Sequence, residues 1–230
     1  MENRNPDRAT ESCLVLMLKS PGRSKQRLAA SIGPLAAIAA EHLCYCAFED
    51  MAAWPGPVCF APADEHDGGW LAARISPADA VVPQRGRNLG ERINHVNRTL
   101  RMRGFERQIF IGIDCPELDE RYLEQAADAL GDHDVVLGPA LDGGVVLMGV
   151  RHEWPDLGEL AWSSTRLMAD LEQFCNALGW RMARLAPLAD VDTFEDLDAL
   201  KRVVGEDARP ARRALGAWLA NDGHRPETQP

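Results

Sequence analysis

The sequence predicts an α/β protein, a three-layer α/β/α sandwich around a mostly parallel sheet, with one domain over residues 12–205. Three observations lead there. Short apolar runs without helical spacing alternate with segments whose apolar residues recur every three to four positions. Gln108–Pro116 (Gln-Ile-Phe-Ile-Gly-Ile-Asp-Cys-Pro) is almost wholly apolar up to Asp114, as expected of a central strand covered on both faces. An earlier run, Ser12–Leu18, passes straight into a Gly/Pro loop, Lys19–Arg27, which carries four cations in nine residues. Strand, basic loop and helix in that order form the layout of a phosphate cradle.

The elements follow in order. Residues 1–11 read as a flexible lead-in to the Ser12–Leu18 strand. Beyond the basic loop, Leu35, Ile38, Ala39, His42, Leu43 and Cys46 keep helical spacing, so a helix runs from near Pro34, a favoured first-turn residue, to about Ala53. Pro57–Ala61 is a short strand. Residues 62–83 are loop-like, with a turn at Asp67-Gly68-Gly69. Leu89, Ile93, Val96 and Leu100 mark a helix over Leu89–Arg103, closed by Gly104. The strand that opens at Gln108 ends on Asp114, because Pro116 cannot continue a ladder. A helix over Asp119–Leu130 is closed by Gly131. Asp134–Pro139 is a strand, and the tight turn Ala140–Gly144 brings Val145–Val150 back antiparallel to it. Ser163 or Ser164 caps a helix to about Leu178, Trp180–Leu185 is the next strand, and Asp192 or Thr193 caps another helix. Residues 206–230 form a further helix, Arg209–Asn221, and a polar tail.

Composition narrows the function. The formal charge of −10 argues against nucleic acid, which needs a basic face to displace counterions. A small anion needs only a local basic cluster. No apolar run approaches the roughly 20 residues that span a bilayer, and Met1–Glu11 is too polar for a signal peptide. Six cysteines (13, 44, 46, 59, 115, 175) make no CxxC pair, which suits free thiols and a cytoplasmic protein. His42, Cys44 and Cys46 do not make a metal site on a helix, because Cys44 points away from the other two.

Three elements are expected at the carboxyl edge of the sheet. The basic loop contributes Lys19, Arg23, Lys25 and Arg27; the central strand contributes Asp114; the segment before the Thr193 helix contributes Asp190 and Asp192. Carboxylates facing cations suit a phosphate–metal complex, with oxygen ligands for Mg²⁺ or Mn²⁺ and cations for the remaining phosphate charge. Each piece alone has a plain structural use: a basic loop is often solvated surface, Asp142-Gly-Gly an ordinary turn, Asp192 a helix cap.

Their joint order resembles a known family. Gly22, Lys25, Arg27 and Leu28, then Gln84-x-x-x-x-Leu89-Gly90-x-Arg92, are similar to the GT-A-like transferases associated with arsenosugar biosynthesis and selenium-related gene clusters. Gly112-Ile-Asp-Cys-Pro116, Gly138-Pro-Ala-Leu-Asp-Gly-Gly144, Trp162-Ser-Ser164 and Asp190-Val-Asp-Thr-x-x-Asp-Leu197 continue the match over roughly residues 14–202. The group is also similar to 2-phospholactate and molybdenum-cofactor guanylyltransferases, which implies the nucleotide-diphospho-sugar transferase (GT-A) fold.

The resemblance implies roles. Lys19, Gly22, Arg23, Lys25, Arg27, Gln84 and Gly90 would bind the nucleotide and its phosphates. Asp114 and Asp192 would hold the metal, Gly143, Gly144, Trp162 and Ser163 would lie on the acceptor side, and Asp142 would act there as general base, with Lys25 also catalytic. The chain departs from the family at Gln26, Ile113, Val145 and Val146, and its loop after Lys19 is about two residues short. The expected function is metal-dependent transfer of a sugar from a nucleotide-diphospho-sugar to a small-molecule acceptor, by a monomer or homodimer. Nucleotidyl transfer from a nucleoside triphosphate to a phosphorylated small molecule, and non-catalytic nucleotide binding, are the alternatives.

Overall fold

The computed structural model describes residues 11–75 and 78–221. Among them seven strands form one sheet: β1 (Ser12–Leu18), β2 (Val58–Pro62), β3 (Ala80–Val81), β4 (Arg107–Ile111), β5 (Val135–Pro139), β6 (Val145–Val150) and β7 (Met182–Arg184). Their spatial order is β3-β2-β1-β4-β6-β5-β7. Only β6 runs against the rest; it pairs antiparallel with both β4 and β5, as the tight Ala140–Gly144 turn predicts. The described helices are α1 (Gln26–Ile32), α2 (Leu35–Ala53), α3 (Glu65–Ala72), α4 (Leu89–Met102), α5 (Glu120–Asp132), α6 (Leu167–Ala177), α7 (Phe194–Val204) and α8 (Pro210–Ala220).

Side-chain alternation in the strands divides the core. Leu14, Leu16, Ile109 and Ile111 point to one face, against Cys44, Ala47 and Met51 of α2 and Leu123, Ala126 and Leu130 of α5. Cys13, Val15 and Phe110 point to the other, against Ile93, Val96 and Leu100 of α4 and Leu171 and Cys175 of α6. A third cluster lies outside these layers. Leu28 and Ile32 of α1, Ala39 and Leu43 of α2, Leu197 and Leu200 of α7, and Leu215 and Leu219 of α8 pack together, all buried. Helices from the two ends of the described chain therefore share one core.

Several boundaries differ from the sequence expectation. The central strand stops at Ile111, so Asp114 lies in the β4–α5 connection rather than on the strand. Within 62–83 the chain forms α3 and β3. Asp67-Gly68-Gly69 is not a turn but the middle of α3, which Asp64 opens by accepting a hydrogen bond from the Asp67 amide at 3.0 Å. Gly131 does not close α5, which continues to Asp132. Neither Ser163 nor Ser164 caps α6; the helix starts at Leu167 after Arg166. The α7 cap is Thr193, whose hydroxyl and Asp196 make a reciprocal capping box. The short α1, unforeseen, follows directly on the basic loop.

Candidate active site at the β1–β4 switch point

The chain leaves β1 toward β2 on one side, while β4 lies on the other, so the strand order reverses between β1 and β4. In open α/β sheets this crevice, outside the carboxyl ends of the strands, is where ligands bind. The β1–α1 loop and the β4–α5 connection meet there.

Lys25 is the hinge of the arrangement. It is the residue before α1, in the left-handed conformation (φ 58°), with no side-chain cap on the helix. A non-glycine residue held there stores strain that the surroundings must hold in place. Its side chain is only 2% exposed, and Nζ lies 2.5 Å from Asp114 Oδ1 and 3.3 Å from Asp192 Oδ1. Nζ also donates to the Val191 carbonyl. Burial alone would lower the ammonium's pKa, but the Asp114 and Asp192 carboxylates outweigh it and hold it above the ordinary lysine value. A backbone bond from the Val191 amide to the Asp114 carbonyl (2.8 Å) ties the same two segments.

Beside this pair stands an acidic cluster. Asp142, from the β5–β6 turn, and Asp190 and Asp192, from the segment before α7, each bring a carboxylate oxygen within 4.8 Å of the others. Burial, then repulsion by Asp142 and Asp192, pushes the Asp190 carboxyl up to about 6. Arg27 offsets part of the charge, reaching Asp192 Oδ2 at 3.2 Å and the Ser163 carbonyl at 3.5 Å. Hard oxygen donors from two segments, with negative charge left over, fit a divalent cation such as Mg²⁺ or Mn²⁺.

The raised Asp190 carboxyl gives a signed prediction. Its folded pKa lies above the ordinary 3.8, so the native state binds a proton more tightly than the unfolded chain. The charged cluster therefore costs stability above pH 6, a cost that vanishes as pH falls toward 4. Asp190→Asn should be more stable than the parent by about 1 kcal/mol at pH 7 without metal, after solvent screening. That difference should shrink to nothing by pH 4 in urea melts; a difference independent of pH would refute the raised Asp190 pKa that burial and the neighbouring acids produce.

The other sequence-selected residues have definite places. Lys19 is exposed at the end of β1, and Gly22, at φ 85°, turns the basic loop. Arg23 is engaged within the protein: it pairs with Asp64 (2.5 Å) and the buried Asp67 (3.1 Å). Asp67 also accepts from the Ser20 amide (3.1 Å) and hydroxyl (2.6 Å), so α3 fixes the start of the basic loop. Gln84 is buried and donates to the Ala61 (2.7 Å) and Leu18 (3.4 Å) carbonyls, tying the ends of β1 and β2. Gly90 allows a close approach: a Cβ there would sit 2.2 Å from the Leu157 carbonyl oxygen and 2.4 Å from Trp162 Nε1. Trp162 donates that Nε1 proton to Leu157 (2.8 Å), so it belongs to this junction. In the β5–β6 turn the Gly144 amide donates to Asp142 Oδ1 (2.7 Å), and Gly143 takes φ 94°.

Sequence reasoning missed Asp64, Asp67 and Ser20. The signal was present, since Asp64-x-x-Asp67 has the spacing of an N-terminal helix cap. Asp190 was seen as an edge acid, but not as a member of the cluster with Asp142.

Residues 46–164 match a family model described as an uncharacterized protein conserved in bacteria, DUF2064. The match spans more than half of the chain. The chain belongs to the DUF2064 family. A comparison with curated proteins finds no match. Among solved structures, a provisionally named nucleotide-diphospho-sugar transferase from Desulfovibrio desulfuricans G20 is 26% identical, with a TM-score of 0.82 over 94% of this chain and 96% of that one. The 4-diphosphocytidyl-2C-methyl-D-erythritol synthase of Anaerococcus prevotii DSM 20548 is 9% identical, with a TM-score of 0.54 over 94% and 100%. Rv0371c of Mycobacterium tuberculosis H37Rv, solved in complex with manganese, is 16% identical, with a TM-score of 0.50 over 83% and 97%. This DUF2064 protein has the nucleotide-diphospho-sugar transferase fold. Among its described residues no helix is long and apolar enough to cross a membrane.

Proposed function

We propose that the protein is a metal-dependent transferase that moves a sugar from a nucleotide-diphospho-sugar to a small-molecule acceptor. The observation that carries the reading is Lys25: a buried ammonium in a strained loop position at the switch point, touching acids from two separate segments. The name given to the Desulfovibrio relative supports it, as does the resemblance of the ordered sequence motifs to GT-A-like transferases.

In this reading Lys25 and Arg27 face the diphosphate of the donor, with Lys19 at the mouth, while Arg23 shapes the loop through Asp64 and Asp67. Asp114 and Asp192 would hold the metal; of the two, Asp192 belongs to the cluster with Asp142 and Asp190, and Asp114 stands beside it on Lys25. When bound there, Mg²⁺ or Mn²⁺ would supply positive charge for the departing nucleoside diphosphate. Lys25, whose own side chain is buried, adds a fixed charge aimed at negative charge that develops during reaction. Gly143, Gly144, Ser163 and Trp162 frame the acceptor side, and Asp142 accepts the proton of the acceptor hydroxyl.

A second reading is favoured by one observation. Asp192 joins Asp114 on Lys25, whereas sugar transfer needs only one such acid, Asp114. Two acids and two cations equally suit nucleotidyl transfer, in which a phosphorylated acceptor attacks the α-phosphate of a nucleoside triphosphate and pyrophosphate leaves. Incubation with Mn²⁺, a panel of nucleotide sugars and nucleoside triphosphates, and hydroxyl or phosphate acceptors separates the two. Sugar transfer should release nucleoside diphosphate; release of pyrophosphate instead would establish the second reading and refute the first.

A further inference from the structure

The β4–α5 connection, which carries Asp114, is held by the helix farthest from it in sequence. Its alternate carbonyls, at Asp114, Pro116 and Leu118, all have partners outside the connection. The first accepts from the Val191 amide. The Pro116 carbonyl accepts from Arg212 Nε at 3.1 Å, and the Leu118 carbonyl from Arg209 Nη1 at 2.7 Å and Arg212 Nη2 at 3.1 Å. Both arginines come from α8 or its first boundary.

Arg212 is completely buried, an unusual state for a guanidinium. Its remaining donors reach the Cys46 carbonyl, Glu49 Oε2 (3.0 Å) and Asp50 Oδ2 (2.6 Å) on α2. Arg209 also reaches Asp50 Oδ1 at 3.1 Å. The pair thus forms a strut between α2, which packs on the sheet, and the connection that bears Asp114. A buried ion pair is a weak device for stability, since well-packed apolar residues usually serve as well. A rigid planar fork that fixes two carbonyls, two and four residues beyond Asp114, holds the backbone that carries that carboxylate.

We infer that Arg212 and Arg209 are positioning residues that hold the Asp114 carboxylate in metal-binding geometry. The inference rests on the reading of Asp114 as a metal ligand. Outer partners that orient a ligand are typically worth about 10- to 100-fold in metal affinity. Lysine keeps the charge of Arg212 but cannot span Pro116, Leu118 and Asp50 together.

The test compares Mn²⁺ affinity, by titration calorimetry on the full chain, with the unfolding midpoint, for the parent, Arg212→Lys, Arg209→Gln and Asp114→Asn. Arg209 is partly exposed, so Arg209→Gln keeps the test usable should Arg212→Lys fail to fold. Asp114→Asn should lose Mn²⁺ binding, and each arginine variant that melts well above the assay temperature should bind Mn²⁺ about 10-fold more weakly. Arginine variants that melt lower yet keep the parent's Kd would reduce the strut to a purely structural role. No binding by the parent, or unchanged binding by Asp114→Asn, would overturn the underlying site together with the inference.

Discussion

Lys25→Met should lower turnover by about 10²- to 10³-fold, the loss expected when a fixed charge facing developing negative charge is removed. Methionine keeps the length and apolar stem of the side chain, so the change isolates the ammonium. The folded protein should survive. Breaking a fully buried ion pair costs about 3–5 kcal/mol, but Asp114 and Asp192 are 48% and 33% exposed and water can take over their solvation, so the loss should be smaller. Ligand response gives the second readout. A nucleotide at 100 times its Kd raises stability by about 2.7 kcal/mol, and Lys25→Met should forfeit most of that with a nucleotide and Mn²⁺ present. If Lys25 served only as an internal counter-ion, the variant would melt lower without ligand but gain the same ligand-induced shift. That result would remove Lys25 from the site.

The second large effect is expected at Gly143. Its φ of 94° belongs to a region that L side chains rarely adopt, and a Cβ there would lie 2.0 Å from the Thr165 carbonyl oxygen. Neither term can relax cheaply. The obstacle is backbone, and the Met168 amide donates to the Gly143 carbonyl at 3.0 Å, so the start of α6 rests on this turn. Gly143→Ala should cost about 3 kcal/mol or more from strain and overpacking. In a domain of this size that lowers the melting temperature by roughly 6–12 °C. Asp142 sits in the same turn, so the acceptor KM should rise more than the donor KM. A melting temperature within about 2 °C of the parent would mean that the turn does not have this geometry.

The fold was readable where periodicity was strong and ambiguous where it was short. Ile93, Val96 and Leu100 marked α4, and the apolar run to Ile111 marked β4. The seven-residue α1 gave no start signal because its first boundary is Lys25 in a left-handed conformation without a side-chain cap. Gly68 and Gly69 concealed α3, although Asp64 caps it; the glycines are tolerated because Asp67 and Leu71 are fixed by burial. At the candidate site, the ordered motifs brought Lys25, Asp114 and Asp192 forward. Their contact joins residues far apart in the chain and no local spacing encodes it. The same holds for Arg23, whose engagement by Asp64 and Asp67 depends on where α3 lands. The arginines of α8 lie beyond the segment matched by the family model, in a region that reads as an ordinary amphipathic helix.

The shared cluster of α1, α2, α7 and α8 has a consequence for how the protein is made. Lys25 and Asp192 are separated by 167 positions, which a ribosome adding about 5–20 residues per second takes roughly 8–33 s to synthesise. Throughout that interval the nascent chain has its basic loop but neither Val191 nor Asp192 to receive the ammonium, and no α8 to brace the Asp114 connection. The candidate site therefore has all of its parts only once synthesis has passed α8.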